Sequence, residues 1–208
     1  MINLSKDEKN IFFNTLRQVL FFILIFSFIF FIHYMADIYK TETFSEHSVV
    51  ENLQLSFLVL SGLIFVGEAI FFKQYRSLLF LLASLCFFAS FRELDSFFDN
   101  TLPVVSWKIG YIFPISAIIY VKKHFEDFLR ELIDFCSSPA FFMMLTAVVV
   151  VLPIAQCIGH GSFVRDVLGN DKVADIKEFF EESCETMGYF IILLSSFETY
   201  FGMLKKQK

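Results

Sequence analysis

The feature that most constrains this chain is an apolar run over residues 18–36 that contains no Asp, Glu, Lys or Arg. About 20 apolar residues in an α-helix cross the hydrocarbon core of a bilayer. Ser5 and Glu8 form a capping-box pattern, which predicts that the helix begins before the run. The run is too long for the apolar part of a signal peptide, and no A-x-A-like cleavage site follows it. We therefore predict a first membrane-spanning helix here.

Five further apolar stretches follow, in a chain that is 56% hydrophobic and only 19% charged. This composition excludes a disordered chain, a basic nucleic-acid-binding protein and a disulfide-stapled secreted module. It predicts an all-α fold: one polytopic transmembrane helical bundle over residues 1–208, in contact with the lipid bilayer. The predicted spans are residues 18–36, 49–72, 78–91, 103–121, 139–158 and 187–204, and residues 172–208 are predicted to form one long helix.

The distribution of charge predicts the orientation of the chain. With six spans, eleven Lys and Arg lie on the side that holds both termini, and six lie on the other side. Because cytoplasmic segments carry the excess of Lys and Arg, we predict that both termini are cytoplasmic. The predicted location is the inner (plasma) membrane of the cell. If the third and fourth stretches do not cross, four spans satisfy the charge bias equally well. The apolar third stretch, LLFLLASLCFFASF, favours six.

Polar residues gather at the predicted outer ends of several helices, partly in an outer-face loop and helix start over residues 159–186. One interpretation is a site for a metal, a cationic ligand or hydrolysis. The other is an Arg92–carboxylate network that satisfies helix ends, with the remaining acids solvated. No HExxH motif or Ser–His–Asp order is present, so we expect no catalytic residue, metal or cofactor. This outer polar cluster comprises Glu51, Arg92, Glu93, Asp95, His160, Arg165, Glu181, Glu182 and Glu185.

Two acids, Glu68 and Glu198, interrupt the second and sixth predicted spans at similar depth. An ionisable residue within a span is a functional hypothesis by default. The pair could line a path for protons or cations. Alternatively, each acid is protonated or reaches towards the interface, with hydrogen bonds to neighbours such as Ser61, Ser195 or Tyr200.

We predict a cytoplasmic amphipathic linker helix over residues 122–138, because apolar residues recur there at helical spacing opposite a charged face. This helix could lie on the membrane surface, pack on its own bundle, or dock a cytoplasmic protein or a second copy of the chain. The residues expected to bind a partner are Phe125, Phe128, Leu129, Leu132 and Ile133.

In its size, its predicted cytoplasmic termini, its lack of a catalytic signature and its linker over residues 122–136, the chain resembles the small polytopic membrane subunit of Kiwa-type phage-defence systems. The resemblance implies a homo-oligomeric sensor that holds a DNA-binding cytoplasmic effector, with no direct nucleic-acid binding by this chain. The first hypothesis is therefore a non-enzymatic oligomeric membrane sensor or scaffold. The alternatives are an ion or proton channel or transporter that uses Glu68 and Glu198, and an outward-facing metal-dependent hydrolase.

Overall fold

The structure is a computed structural model that describes residues 5–39, 48–95, 98, 106–155, 157 and 173–206. Within these residues the chain is helical and has no β-strand. Short 3₁₀ helices, Lys73–Tyr75 and Trp107–Tyr111, lead into the third and fourth α-helices, and a π-helical segment, Val150–Ile154, extends the sixth. The α-helices of the described chain are α1 (Lys6–Tyr39), α2 (Val49–Phe71), α3 (Arg76–Glu93), α4 (Ile112–Lys123), α5 (Phe125–Cys136), α6 (Pro139–Val149) and α7 (Val173–Lys206).

The chain divides into two compact units, Met1–Lys40 and Thr41–Lys208. The first unit contains α1, whose start is the predicted capping box: the Ser5 N–H donates to Glu8 Oε2 at 2.8 Å, and the Glu8 N–H donates to Ser5 Oγ at 3.2 Å. Large apolar side chains are exposed all round α1, among them Phe22 and Phe30. A helix with apolar side chains on every side is typical of a lipid-facing span.

The second unit is built on α2, α3 and α7. Gln54, in the first part of α2, contacts Thr186 before the midpoint of α7, and Phe72, directly after α2, contacts Tyr200 near the end of α7. These two helices therefore run parallel. The intervening α3 runs antiparallel to them, because Arg92, near its end, pairs with Glu185 in the first part of α7. We call the two ends of this bundle the Gln54 end and the Tyr75 end.

Two further helices run along the outside of the three-helix core. The segment that contains α4 follows α3, with Trp107 against Phe88 and Tyr120 against Phe80. Its 3₁₀ start has a local cause: Pro114 has no N–H with which to bond the carbonyl group four residues earlier. Tyr111 also packs on Phe88, so an aromatic cluster fills this contact.

Small residues line the contact between α6 and α7. Ala140 and Ala147 on α6 are almost fully buried, and the Ser195 hydroxyl of α7 donates to the Ala140 carbonyl at 2.8 Å. A Cβ atom added to Gly188 would overlap the Val151 side chain. Small side chains let helix backbones approach closely, which is how helices pack when lipid supplies no hydrophobic driving force between them.

The predicted membrane-type helical fold is confirmed at a coarse level. Four described helices are long and apolar enough to cross a membrane, and a fifth candidate arises if α5 and the α6 segment form one span bent by 88°. These four are Glu8–Met35, Val49–Phe71, Lys73–Glu93 and Phe179–Lys206.

Three of the predicted membrane spans differ from the helices in the structure. The third span is longer than residues 78–91, because the 3₁₀ turn Lys73–Tyr75 precedes α3. The fourth stretch, residues 103–121, contains a 3₁₀ turn and the short α4, so it is not among the long apolar helices. The fifth stretch changes to π-helix around Pro153, which cannot donate a backbone hydrogen bond. The long C-terminal helix is confirmed as α7.

Candidate functional site

A charged cluster joins three helices at the Gln54 end. The Arg92 guanidinium of α3 pairs with Glu185 of α7, with 2.9 Å between Nη2 and Oε1. Its Nε atom lies 3.7 Å from Glu93 Oε1. Glu93 also accepts a hydrogen bond of 2.7 Å from the Tyr189 hydroxyl of α7. Salt bridge and hydrogen bonds therefore connect α3 to α7 through partly and fully buried groups.

Gln54 brings α2 into the same cluster. Its side-chain amide is 1% exposed and donates to Glu182 Oε2 at 2.8 Å and to Thr186 Oγ1 at 3.0 Å. Two carboxyl groups, those of Glu93 and Glu185, face the Arg92 guanidinium, and Glu182 joins them through Gln54. The cluster therefore contains more carboxyl groups than one guanidinium can neutralise. The Gln54 cluster comprises Gln54, Arg92, Glu93, Glu182, Glu185, Thr186 and Tyr189.

The structure brings together part of the predicted outer polar cluster. Arg92, Glu93 and Glu185 contact one another, and Glu182 joins them through Gln54. Glu181 instead lies 3.9 Å from Lys177 on its own helix. Sequence reasoning missed Tyr189, although its position four residues after Glu185 places both on one face of α7.

Two other predicted members lie near helix ends. Glu51 is in the first turn of α2, where the Ser48 hydroxyl caps the helix, and Asp95 follows the end of α3. His160 and Arg165 lie outside the described residues, as does the first half of the predicted outer-face loop and helix start over residues 159–186, namely residues 159–172. Among the residues that are described, no three His, Cys, Asp or Glu side chains form a group able to hold a metal ion.

Polar residues continue from the Gln54 cluster along one face of α2. Gln54, Ser61 and Glu68 are seven residues apart, so they lie on nearly the same side of the helix. All three are at most 2% exposed. The contacts of Gln54 with Thr186 and of Phe72 with Tyr200 show that this face meets α7. We call this row the α2 polar seam.

Glu68 is the unusual member of the seam. Both of its carboxyl oxygens are buried, and neither has a hydrogen-bond partner within the described part of the chain. Ser61, by contrast, donates to the Phe57 carbonyl of its own helix at 2.6 Å. Burying a charged group without a partner is costly, so a carboxyl group in this position must bind a proton or a cation.

Glu198 lies at a similar level to Glu68 but on another side of α7. It borders a small cavity of about 40 Å³, together with Ala140 and Thr199. Tyr200 meets α2, and Glu198 precedes Tyr200 by two residues, which turns it about 200° around the helix axis. Glu68 and Glu198 therefore do not share one helix interface.

At the Tyr75 end, the amphipathic helix α5 is attached to the bundle by its acids. Glu131 Oε2 accepts a hydrogen bond of 2.6 Å from the Leu78 N–H at the start of α3. Asp134 pairs with Lys206 and accepts a hydrogen bond from the Tyr75 hydroxyl. Burial raises the pKa of the Glu131 carboxyl, whereas hydrogen bonds from Lys206 and then Tyr75 lower the pKa of Asp134.

The predicted partner-binding stripe divides into two parts. Phe128 and Leu132 pack against a core cluster of this chain that contains Leu78 and Ala140. Phe125, Leu129 and Ile133 remain 54%, 40% and 72% exposed. These three follow each other at intervals of four residues, and the acids Asp127 and Asp134 lie on the opposite side of the helix.

A comparison of the chain with protein-family models, with curated proteins and with solved structures found no match in any of the three.

Proposed function

We propose that this protein is a multi-pass membrane protein that binds and transfers protons along the α2 polar seam. The observation that carries the proposal is the Glu68 carboxyl group, buried at the α2–α7 side of the bundle without a hydrogen-bond partner in the described chain. An ionisable residue at such depth is costly to keep and is characteristic of proton relays.

The groups on either side of Glu68 support the same function. Towards the Gln54 end, the hydroxyl of Ser61 precedes the Gln54 cluster, where Glu93, Glu185 and Tyr189 can hold and exchange protons. Towards the Tyr75 end, Tyr75 follows Glu68 by seven residues and is hydrogen-bonded to Asp134. Titratable groups thus occur at both ends of the bundle with Glu68 between them.

Proton flux into vesicles tests the proposal. The purified chain is reconstituted into liposomes that enclose a pH-sensitive dye, and a pH gradient is applied with valinomycin and potassium to balance charge. We expect faster acidification than in protein-free vesicles. Glu68→Gln keeps the shape of the side chain but cannot exchange a proton, so we expect it to reduce flux to the protein-free rate.

The matched control is Glu126→Gln, which makes the same chemical change at an exposed position of α5. It should conduct like the wild type. Wild-type flux equal to that of protein-free vesicles, or equal flux in Glu68→Gln and wild type, would contradict the proposal. Far-ultraviolet circular dichroism of each variant checks that the helices are retained.

We further propose six spans with both termini in the cytoplasm. The supporting geometry is that the α4 segment runs from the level of Phe88 to that of Phe80. The α6 segment likewise passes from the level of Ser195 to that of Gly188. Lysine and arginine residues occur at the Tyr75 end, as the positive-inside rule requires of a cytoplasmic face. A reporter fused within residues 100–105 is external with six spans and cytoplasmic if the third and fourth stretches do not cross. A second reporter at residues 137–138 is cytoplasmic with six spans and external if only α1, α2, α3 and α7 cross.

An oligomeric scaffold that docks a cytoplasmic protein, as in phage defence, is the second hypothesis. The exposed Phe125, Leu129 and Ile133 side chains favour it. However, α5 is bent by 88° from the α6 segment, which would place it along the membrane surface if α6 spans. An apolar stripe there can bury itself in lipid without any protein partner, so we give preference to proton transfer.

A further inference from the structure

An open cavity of about 730 Å³ lies at the Tyr75 end of the bundle, away from the Gln54 cluster. Four segments form its wall: the 3₁₀ turn before α3, the end of α4, the polar side of α5 and the end of α7. Its basic lining residues are Lys73, Arg76, His124, Arg130 and Lys206.

Three acids line the wall, Asp127, Glu131 and Asp134, and contacts within the protein hold the last two. Glu131 accepts the hydrogen bond from the backbone of Leu78. Asp134 is paired with Lys206 and bonded to Tyr75. Lys73 and Arg130 are exposed and form no ion pair with any described residue. The Lys73 and Arg130 side chains are therefore available to bind an anion from outside the protein.

Apolar surface adjoins this polar cavity. Ile115, Ile118 and Ile119 on α4 are exposed, and α4 ends at the cavity wall near Tyr120. The exposed stripe of α5 lies on the helix that supplies Arg130. Cationic side chains beside exposed apolar helices suit a ligand with an anionic head group and hydrocarbon tails. The head group contacts the cationic side chains, and the tails contact the apolar surface.

We propose that this cavity binds the phosphate group of an anionic phospholipid, with Lys73 and Arg130 as its principal cationic contacts. Arginine can bind phosphate through two parallel N–H groups, and lysine provides a compact charge. The acyl chains lie along the exposed isoleucines of α4. The cavity includes Tyr75 and Asp134, which the proposed proton path uses at this end, but lipid binding does not depend on proton transfer.

Native mass spectrometry of the full chain in a mild detergent tests the site. The protein is titrated with dioleoyl phosphatidylglycerol, and separately with dioleoyl phosphatidylcholine as the lipid of zero net charge. Lys73→Gln combined with Arg130→Gln should weaken phosphatidylglycerol binding by about tenfold or more, because each basic side chain near a membrane surface contributes about 1 kcal/mol. Lys108→Gln combined with Lys177→Gln removes the same charge near the other end of the bundle and should leave binding unchanged.

A third titration uses inorganic phosphate, which shares the anionic group but has no acyl chains. We expect phosphatidylglycerol to raise the thermal unfolding midpoint of the protein. We expect inorganic phosphate neither to displace phosphatidylglycerol nor to raise the midpoint in the same way. Displacement by phosphate would identify a site for soluble anions and overturn the lipid assignment. Equal binding of the two lipids, or undiminished phosphatidylglycerol binding by the Lys73/Arg130 variant, would also overturn it.

Discussion

Replacing Gly188 by alanine probes the closest helix contact in the bundle. The new methyl group would overlap Val151 Cγ2 and lie 3.2 Å from the carbonyl oxygen of Ala147, both on the α6 side. Val151 is β-branched, so its side chain has few alternative rotamers. The Ala147 oxygen belongs to the backbone and can move only if the helix moves. The substitution must therefore separate α6 from α7.

The magnitude follows from two opposing effects. Alanine in place of glycine within a helix is favourable by about 1 kcal/mol, because it restricts the unfolded chain and favours helix. Overpacking a closely packed contact costs about 1–3 kcal/mol, and a stiff side chain together with a backbone atom favours the upper part of that range. Gly202→Ala, on the same helix with no atom within 4 Å of the added Cβ, has only the favourable effect.

Thermal unfolding of the purified chain in detergent measures the difference. At about 2–4 °C per kcal/mol for a chain of this size, a difference of about 2–3 kcal/mol places the Gly188→Ala midpoint about 4–12 °C below that of Gly202→Ala. Equal midpoints for the two variants would refute the close α6–α7 approach. Circular dichroism before heating confirms that both variants begin folded.

The remaining predictions concern the two ends of the bundle. Arg92→Gln should lower the free energy of unfolding by about 1–3 kcal/mol, because it leaves a buried carboxyl group without its donor; adding Glu185→Gln should restore part of that loss in the same unfolding assay. Leu129→Glu with Ile133→Glu should change detergent stability by no more than about 0.5 kcal/mol. On the scaffold hypothesis it also abolishes co-purification of a cytoplasmic protein, and undiminished co-purification would contradict that hypothesis. Asp134→Asn should lower the unfolding midpoint at neutral pH, and the difference from wild type should vanish as the pH falls through the lowered pKa of the Asp134 carboxyl; a difference that persists in acid would argue against the ion pair.

Much of the helical content could be predicted from local sequence patterns. The capping box of α1, the apolar stretches and the amphipathic period of α5 are properties of neighbouring residues, and the structure has helices at these places. The bounds that differ lie at Pro114, Pro153 and the 3₁₀ turn before α3, where a missing backbone donor or a tight turn changes the helix type. Hydropathy does not detect such changes.

The candidate site was less predictable, because it depends on which helix faces meet. The seven-residue spacing of Gln54, Ser61 and Glu68 was present in the sequence and could have indicated a polar face on α2. The partner of that face could not be inferred, nor could the position of Glu198 on another side of α7. Glu131 accepts its hydrogen bond from Leu78 at the start of α3, which is 53 positions away in the sequence. Spacing along one helix carries no information about such a contact.

The aromatic contact between α3 and α4 has a practical consequence for spectroscopy. The chain has one tryptophan, Trp107, whose ring centroid lies 6.2 Å from that of Phe88 and 5.8 Å from that of Tyr111. Tryptophan emission from this protein therefore comes from a single place at the Gln54 end. Its wavelength and its quenching by acrylamide therefore report on the packing of the α3–α4 contact without a label, and a variant that separated the two helices would change both.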